Sequence, residues 1–121
     1  MKKLILLIPI LLVSFNKYEN ELFSYILSKI FNKKIIYVLS KQKVNYPLIN
    51  VYDCKKADIV LGDYNKCNKP HFVFSYKNLI QNKKAIGAFY WAKGRPQILL
   101  LKNRLKEFNL SIPKELNEYI Y

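Results

Sequence analysis

The spacing of apolar residues changes along the chain and predicts where helices and strands lie. Between residues 18 and 31 the apolar side chains recur every three or four positions, which is helical spacing. Lys33 and Lys34 follow, where the helix macrodipole favours positive charge. The spacing predicts a helix with one apolar face, formed by Leu22, Phe23, Ile26, Leu27, Ile30 and Phe31.

Short apolar runs fill the middle of the chain and predict strands. They cover residues 35–39, 49–53, 57–61 and 71–75, and loops rich in Asn, Lys, Asp and Pro separate them. Several of these runs are continuous rather than alternating, which is typical of strands covered on both faces of a sheet. Residues 76–82 predict a short helix or a turn.

The C-terminal third predicts a hairpin. Residues 85–91 and 97–102 form two apolar runs about the turn Gly94-Arg95-Pro96. The complete order predicts a small three-layer α/β sandwich with a mostly parallel sheet, a C-terminal β-hairpin and terminal helices. A chain of 121 residues is long enough for one such domain and no second one.

Two short helices are expected after the hairpin. Asn103 can cap the first of them, because asparagine is a favoured N-cap residue. Ser111 can cap the last one, with Pro113 in its first turn, where proline is tolerated.

The N-terminus predicts an export signal. Lys2 and Lys3 precede an apolar run over residues 4–13, which matches the basic and apolar regions of a signal peptide. The run is too short to span a bilayer. No small-x-small pair marks a cleavage site after the apolar run. The alternative to a signal peptide is that these residues form the first core strand of a cytosolic domain. We expect a signal peptide over residues 1–15 and a single periplasmic domain over residues 16–121.

The charge balance raises the question of an anionic partner. The chain has 21 Lys+Arg against 8 Asp+Glu. However, all but Arg95 and Arg104 are lysines, and arginine is the residue that binds phosphates and bases in bidentate fashion. The lysine pairs are dispersed and form no basic arm. A solvated surface is therefore favoured over nucleic-acid binding, which stays open as the alternative for a cytosolic protein.

The cysteine count suggests a disulfide. Cys54 and Cys67 flank one predicted strand, and an even count in an exported protein favours pairing. The loop from Asp63 must fold back for the sulfurs to meet. A metal site with His71, the only histidine, would lack a fourth ligand and the tight spacing typical of zinc sites. We expect no metal and no cofactor.

Motifs for catalysis are absent from the sequence, including phosphate-binding glycine loops, nucleophile elbows and zinc-protease helices. His71 stands at the start of a predicted strand, which suggests a structural or surface residue. Three aspartates recur every five residues, at Asp53, Asp58 and Asp63. Their side chains are expected to point in alternate directions, which is typical of carboxylates at strand ends and turns. We expect a protein that is not an enzyme.

The aromatic hairpin is the candidate binding feature. Alternate side chains of a strand face opposite sides, so Trp91 points away from Tyr90. One face is expected to be core, and the other can form a ligand wall with Lys93 and Arg95 at its rim. The candidate ligand or partner surface is therefore drawn from Tyr90, Trp91, Lys93 and Arg95, because aromatic rings beside cations bind sugars, bases or anions. The alternative is that the aromatic rings fill the core.

The second half of the chain resembles YfiR-like periplasmic proteins. The segments "FVFSY", "AIGAFYW" and "ILLLKNRLKEFNLSIPKEL" are similar in pattern to consecutive parts of that family. The resemblance implies a periplasmic regulator that binds a membrane-bound diguanylate cyclase. The family's second cysteine pair has no counterpart here. The "GAFYWAKGRP" element also resembles short secreted proteins of Campylobacterota, which name no function.

Three functions follow as hypotheses. The first is an exported, non-enzymatic sensor or interaction domain that regulates a membrane signalling protein such as a diguanylate cyclase. The second is a single-lobe periplasmic solute-binding protein. The third is a small basic nucleic-acid-binding protein in the cytosol.

Overall fold

The computed structural model describes residues 14–121, so most of the predicted signal peptide lies outside the described residues. The described chain contains three α-helices, six strands and two 3₁₀ turns. In chain order these are α1 (Lys17–Phe31), β1 (Ile36–Ser40), β2 (Leu48–Val51), a 3₁₀ turn (Cys54–Lys56), β3 (Ile59–Leu61), β4 (His71–Val73), α2 (Tyr76–Gln81), β5 (Ala85–Ala92), β6 (Arg95–Leu100), α3 (Lys102–Glu107) and a second 3₁₀ turn (Lys114–Tyr119).

The strands form one six-stranded sheet in the order β2-β1-β3-β4-β5-β6. Neighbours from β2 to β5 pair in parallel, and β6 returns antiparallel to β5 as a hairpin. The predicted α/β class with a mostly parallel sheet and a C-terminal β-hairpin is confirmed. The terminal helices correspond only roughly, because the C-terminal end consists of one short α-helix and a 3₁₀ turn.

Helix α1 begins with a capping box. The Asn16 side chain accepts a hydrogen bond from the Glu19 backbone, and the Glu19 carboxylate accepts one from the Asn16 backbone. The helix ends at Asn32, whose left-handed backbone (φ 54°) terminates the hydrogen-bond ladder. The predicted apolar face is confirmed in its centre, where Phe23, Ile26, Leu27 and Ile30 are buried.

Both faces of the sheet are covered, but unequally. The larger core lies on the face that packs against α1, α3 and the C-terminal 3₁₀ turn. On the opposite face, Leu79 of α2 packs with Val73, Ala85 and Ala88. Phe72 and Val73 are neighbours in β4 and supply the two cores separately, as strand geometry requires, while a bulge between β4 and β5 lets Ala85 and Ala88 share one face.

Phe15 belongs to the larger core. Its side chain is 6% exposed. Its ring centroid lies 5.0 Å from that of Phe23 and 5.8 Å from that of Phe74. Its backbone N–H also donates to the carbonyl oxygen of Lys43. Within the described residues, the packed part of the chain therefore includes Phe15, which precedes the predicted domain boundary at residue 16.

The hairpin turn differs from the prediction. Arg95 pairs with Ala92 as the first residue of β6, and Pro96 pairs with Trp91. The turn consists of Lys93 and Gly94 alone, with φ angles of 54° and 77°. Two consecutive positive φ angles twist a two-residue loop in the sense that the flanking strands need. Of the predicted turn Gly94-Arg95-Pro96, only Gly94 lies in the turn, because Arg95 and Pro96 belong to β6.

Both predicted C-terminal caps are wrong. Asn103 lies inside α3, where the N-cap residue is Leu101 and no side chain caps the helix. Ser111 instead donates its hydroxyl to carbonyl oxygens at the end of α1, with Ile30 at 2.8 Å. Carbonyls at a helix end lack intrahelical partners, so this contact satisfies a group that only the tertiary fold brings near.

Candidate functional site

The strand order reverses at β1, which marks a candidate binding region. The chain passes from β1 to β2 on one side and then crosses back to β3 on the other side. In open parallel sheets, ligands bind outside the carboxyl ends of the strands at such a reversal, because the connections diverge there and leave a crevice. Here those carboxyl ends are Ser40 and Leu61.

A cavity of about 760 Å³ lies at this position. We call it the switch crevice. Its volume falls within the range of small-molecule sites. The lining residues come from the ends of β1 and β3 and from the segments that follow β1, β2, β3 and β4. They are Leu39, Ser40, Lys41, Gln42, Tyr52, Asp53, Cys54, Val60, Leu61, Gly62, Asp63, Tyr64, Lys66 and Phe74.

The switch crevice combines an apolar base with an aromatic rim. Val60 and Leu61 are buried strand residues, and Phe74 packs into the larger core through Phe15. Tyr52 is 75% exposed and Tyr64 is 46% exposed. The two tyrosine side chains therefore remain available to contact a molecule in the crevice.

Gly62 shapes the wall of the crevice. Its φ of +129° is a backbone conformation that residues with a side chain rarely adopt. Its N–H donates to the Phe72 carbonyl oxygen, so the residue still pairs with β4 before the chain turns away. The turn directs Asp63 and Tyr64 along the crevice instead of continuing β3.

The predicted disulfide is confirmed. Cys54 and Cys67 are bonded, with their Cα atoms 5.6 Å apart. Cys54 lines the switch crevice, and Cys67 is buried within the loop 62–70 that carries Gly62, Asp63 and Tyr64. The bond joins the wall after β2 to the wall after β3. A disulfide is typical of an oxidising compartment and indicates a secreted or periplasmic protein.

Further side chains hold the loop 62–70 in place. The buried imidazole of His71 has its nitrogens 2.8 and 2.9 Å from the carbonyl oxygens of Lys69 and Tyr64. The Lys84 ammonium donates to the carbonyl oxygen of Asn65 at 2.8 Å. His71 therefore has a structural role, and the crevice has a pre-formed wall.

The three regularly spaced aspartates act at strand ends and turns. Asp58 accepts hydrogen bonds from the backbone N–H of Tyr37 and from the Lys33 ammonium, both at 2.8 Å. Asp53 and Asp63 each use one carboxylate oxygen inside the fold and also line the crevice. Within residues 14–121, no group of three or more His, Cys, Asp or Glu side chains is arranged to hold a metal ion.

Trp91 forms a second exposed feature at the end of β5. Its side chain is 50% exposed, and its indole N–H donates to the Glu19 carboxylate at 3.3 Å. Its ring centroid lies 5.8 Å from Phe89 and 6.1 Å from Tyr18. The first turn of α1 therefore holds the exposed indole in one orientation. We call Trp91, Tyr18 and Glu19 the Trp91 surface.

The predicted surface residues are divided between two faces. Arg95 is exposed and pairs with Ala92, so it shares the face of Tyr90 and lies opposite Trp91, while Lys93 is an exposed residue of the turn. Tyr90 is partly buried against the smaller core. Sequence reasoning missed Tyr18, because only the tertiary fold brings α1 to the hairpin. It also missed the crevice, although its residues follow the ends of the predicted strands.

Several lysines are engaged within the fold. Lys29 forms an ion pair with Glu115 at 3.4 Å, and Lys33 forms one with Asp58 at 2.8 Å. The pKa of Glu115 is lowered by a backbone hydrogen bond and also by Lys29. Part of the basic excess therefore stabilises local structure rather than forming a patch for an anionic polymer.

None of the helices between Ser14 and Tyr121 is both long enough and apolar enough to cross a membrane. A comparison of the chain with protein families, with curated proteins and with solved structures finds no match. The resemblance to YfiR-like proteins stays a prediction.

Proposed function

We propose that this chain is an exported, non-enzymatic sensor domain of the periplasm that binds a small polar molecule in the switch crevice. The observation that carries the proposal is the position of the cavity, at the carboxyl ends of β1 and β3 where the strand order reverses. A sensor also needs a contact for its partner, and the Trp91 surface is available for that role.

The walls of the crevice support binding without a large rearrangement. The Cys54–Cys67 bond and the contacts of His71 brace the loop 62–70. Because these walls are already ordered, ligand binding does not have to offset the entropy lost in ordering them. A small molecule can therefore bind with measurable affinity through few contacts. A non-catalytic role is supported by His71, whose two nitrogens both face backbone carbonyls.

Binding can be tested by nuclear magnetic resonance on the oxidised, ¹⁵N-labelled protein. Mixtures of amino acids, sugars, nucleosides and organic acids would be added, and the backbone amide shifts followed. We expect at least one mixture to shift the amides of Ser40, Gly62 and Asp63 together, because these residues surround the cavity.

A pair of matched variants makes this test specific. Tyr64→Ala removes an exposed ring from the rim of the crevice, whereas Tyr76→Ala removes an exposed ring from α2. The first should weaken binding by about tenfold, in line with one lost aromatic contact, and the second should leave it unchanged. Equal affinities for both variants would contradict binding in the crevice.

Export is tested by the intact mass of the protein from the envelope fraction of its host. We expect a chain that has lost its leader but kept Phe15, since this residue fills the larger core. We expect the mass to rise by two hydrogens when the single disulfide is reduced. A full-length, reduced chain in the cytosol would contradict export and leave nucleic-acid binding as the leading hypothesis.

The Trp91 surface supports a second role, in which the domain regulates a membrane signalling protein such as a diguanylate cyclase. A half-exposed indole held by neighbouring side chains is typical of an interface anchor. A photo-crosslinker at position 91 should capture a membrane protein in the native envelope, whereas one at position 76 should not. Identical products from the two positions would contradict a specific surface.

A further inference from the structure

The charged groups that line the switch crevice are of both signs. Lys41 and Lys66 are exposed and form no ion pair or hydrogen bond within residues 14–121. Asp53 and Asp63 each accept one internal hydrogen bond through Oδ1. Their Oδ2 atoms make no hydrogen bond to the described residues. Two lysines and two aspartates therefore line one cavity.

The same cavity offers an apolar compartment. Phe74 and the buried strand residues Val60 and Leu61 contribute hydrocarbon surface, and the rings of Tyr52 and Tyr64 stand at the rim. A matching ligand carries separated positive and negative charges together with a short apolar body.

From this lining, and resting on the proposed function, we infer that the ligand is a small zwitterion of the α-amino acid or short peptide class. A ligand with one charge can pair with only one kind of charged group in the crevice and leaves the other kind without a counterion. A zwitterion can present its ammonium to Asp53 or Asp63 and its carboxylate to Lys41 or Lys66. The cavity of about 760 Å³ is large enough for such a molecule.

The experiment compares ligands that share one apolar body and differ only in charge. The first set is phenylalanine, phenethylamine and 3-phenylpropionate, and the second is leucine, isoamylamine and 4-methylpentanoate. Each is titrated into the oxidised full-length domain while the amide shifts of the crevice are followed. We expect a zwitterion to bind at least about tenfold more tightly than its amine and its acid.

Charge-neutralising variants locate the contacts. Asp63→Asn keeps a side-chain oxygen for the hydrogen bond from Asn82 but removes the negative charge. It should reduce the preference for the zwitterion over the acid. Lys66→Gln should reduce the preference over the amine. Lys77→Gln, an exposed substitution on α2 outside the crevice, serves as the control.

The outcomes separate this inference from the function on which it rests. Equal affinity for a zwitterion and its singly charged analogues overturns the inference. Crevice shifts with sugars or nucleosides but with no amino acid also overturn it, and both results leave the sensor function standing. A folded protein whose crevice amides respond to none of these compounds overturns the inference and the ligand-binding function together.

Discussion

Gly87 lies in β5 at a place where two strands and a buried ring leave no room for a side chain. A methyl group at this position would lie 2.7 Å from the Leu99 carbonyl oxygen, 2.7 Å from Leu100 Cδ2 and 2.9 Å from Phe72 Cε2. Real Cβ atoms do not approach other atoms so closely, and the carbonyl belongs to the paired strand β6. The hairpin therefore depends on glycine here for steric reasons.

Gly87→Ala should lower the free energy of unfolding by about 3 kcal/mol, the upper part of the usual range for overpacking. Denaturant unfolding followed by circular dichroism measures the change. Gly94→Asn is the control, because nothing lies within 4 Å of that position and asparagine tolerates positive φ. If both variants lose the same small amount of stability, the steric explanation fails.

Arg104 shows how a single charged residue can serve the fold. Its guanidinium donates to three carbonyl oxygens, those of Leu79, Asn82 and Ala85, at 2.8 to 3.2 Å. These carbonyls lie at the end of α2 and the start of β5. One side chain therefore joins α3 to two neighbouring elements, although its sequence position suggests only a surface charge.

At the scale of elements, the loop 62–70 forms one wall of the switch crevice. It has no regular secondary structure, yet Cys67 is fully buried and His71 holds both ends of its central part. Its order comes from long-range contacts, so the disulfide should contribute strongly to its stability.

The Cys54→Ala/Cys67→Ala double variant should lose about 3 kcal/mol of stability. The two residues are 13 positions apart, and a cross-link closing a loop of this length restricts the unfolded chain by roughly that amount. Thermal unfolding with and without reductant measures it. The reductant should destabilise the wild-type protein and have no effect on the variant. A variant as stable as the oxidised wild type would contradict this account.

At the scale of the whole molecule, tyrosines and acidic residues lie close together between α1 and the C-terminal 3₁₀ turn. Partial burial raises the pKa of Tyr119 above its ordinary value, with smaller contributions from the negative charges of Glu118 and of the Tyr18 and Tyr25 phenolates. A phenol with a raised pKa keeps its proton in the folded state after the unfolded chain has lost it.

The free energy of unfolding should therefore fall as the pH rises above about 10, because the unfolded state then binds fewer protons than the folded state. Tyr119→Phe removes this difference and should show a shallower fall. Chemical unfolding at several alkaline pH values measures both slopes, with Tyr76→Phe as the exposed control. A slope that Tyr119→Phe leaves unaltered would assign the alkaline effect to other groups.

The sequence by itself determined the features that depend on neighbouring residues. Helix α1 follows from its apolar period, and the short strands follow from continuous apolar runs. The mostly parallel α/β class follows from their order. The Cys54–Cys67 bond followed from an even cysteine count and the predicted export. These signals are local or compositional, so no knowledge of strand pairing is needed to detect them.

Only the tertiary structure decided which strands lie side by side, and hence where the crevice forms. The crevice exists because β1 separates β2 from β3, so that Tyr52 and Tyr64 border one cavity. In the same way, α1 reaches the hairpin and fixes the orientation of Trp91 through Glu19. Both arrangements depend on the packing of segments that are far apart in the chain. The hydrophobic effect that drives this packing is non-directional, so no local sequence pattern shows which segments will pack together.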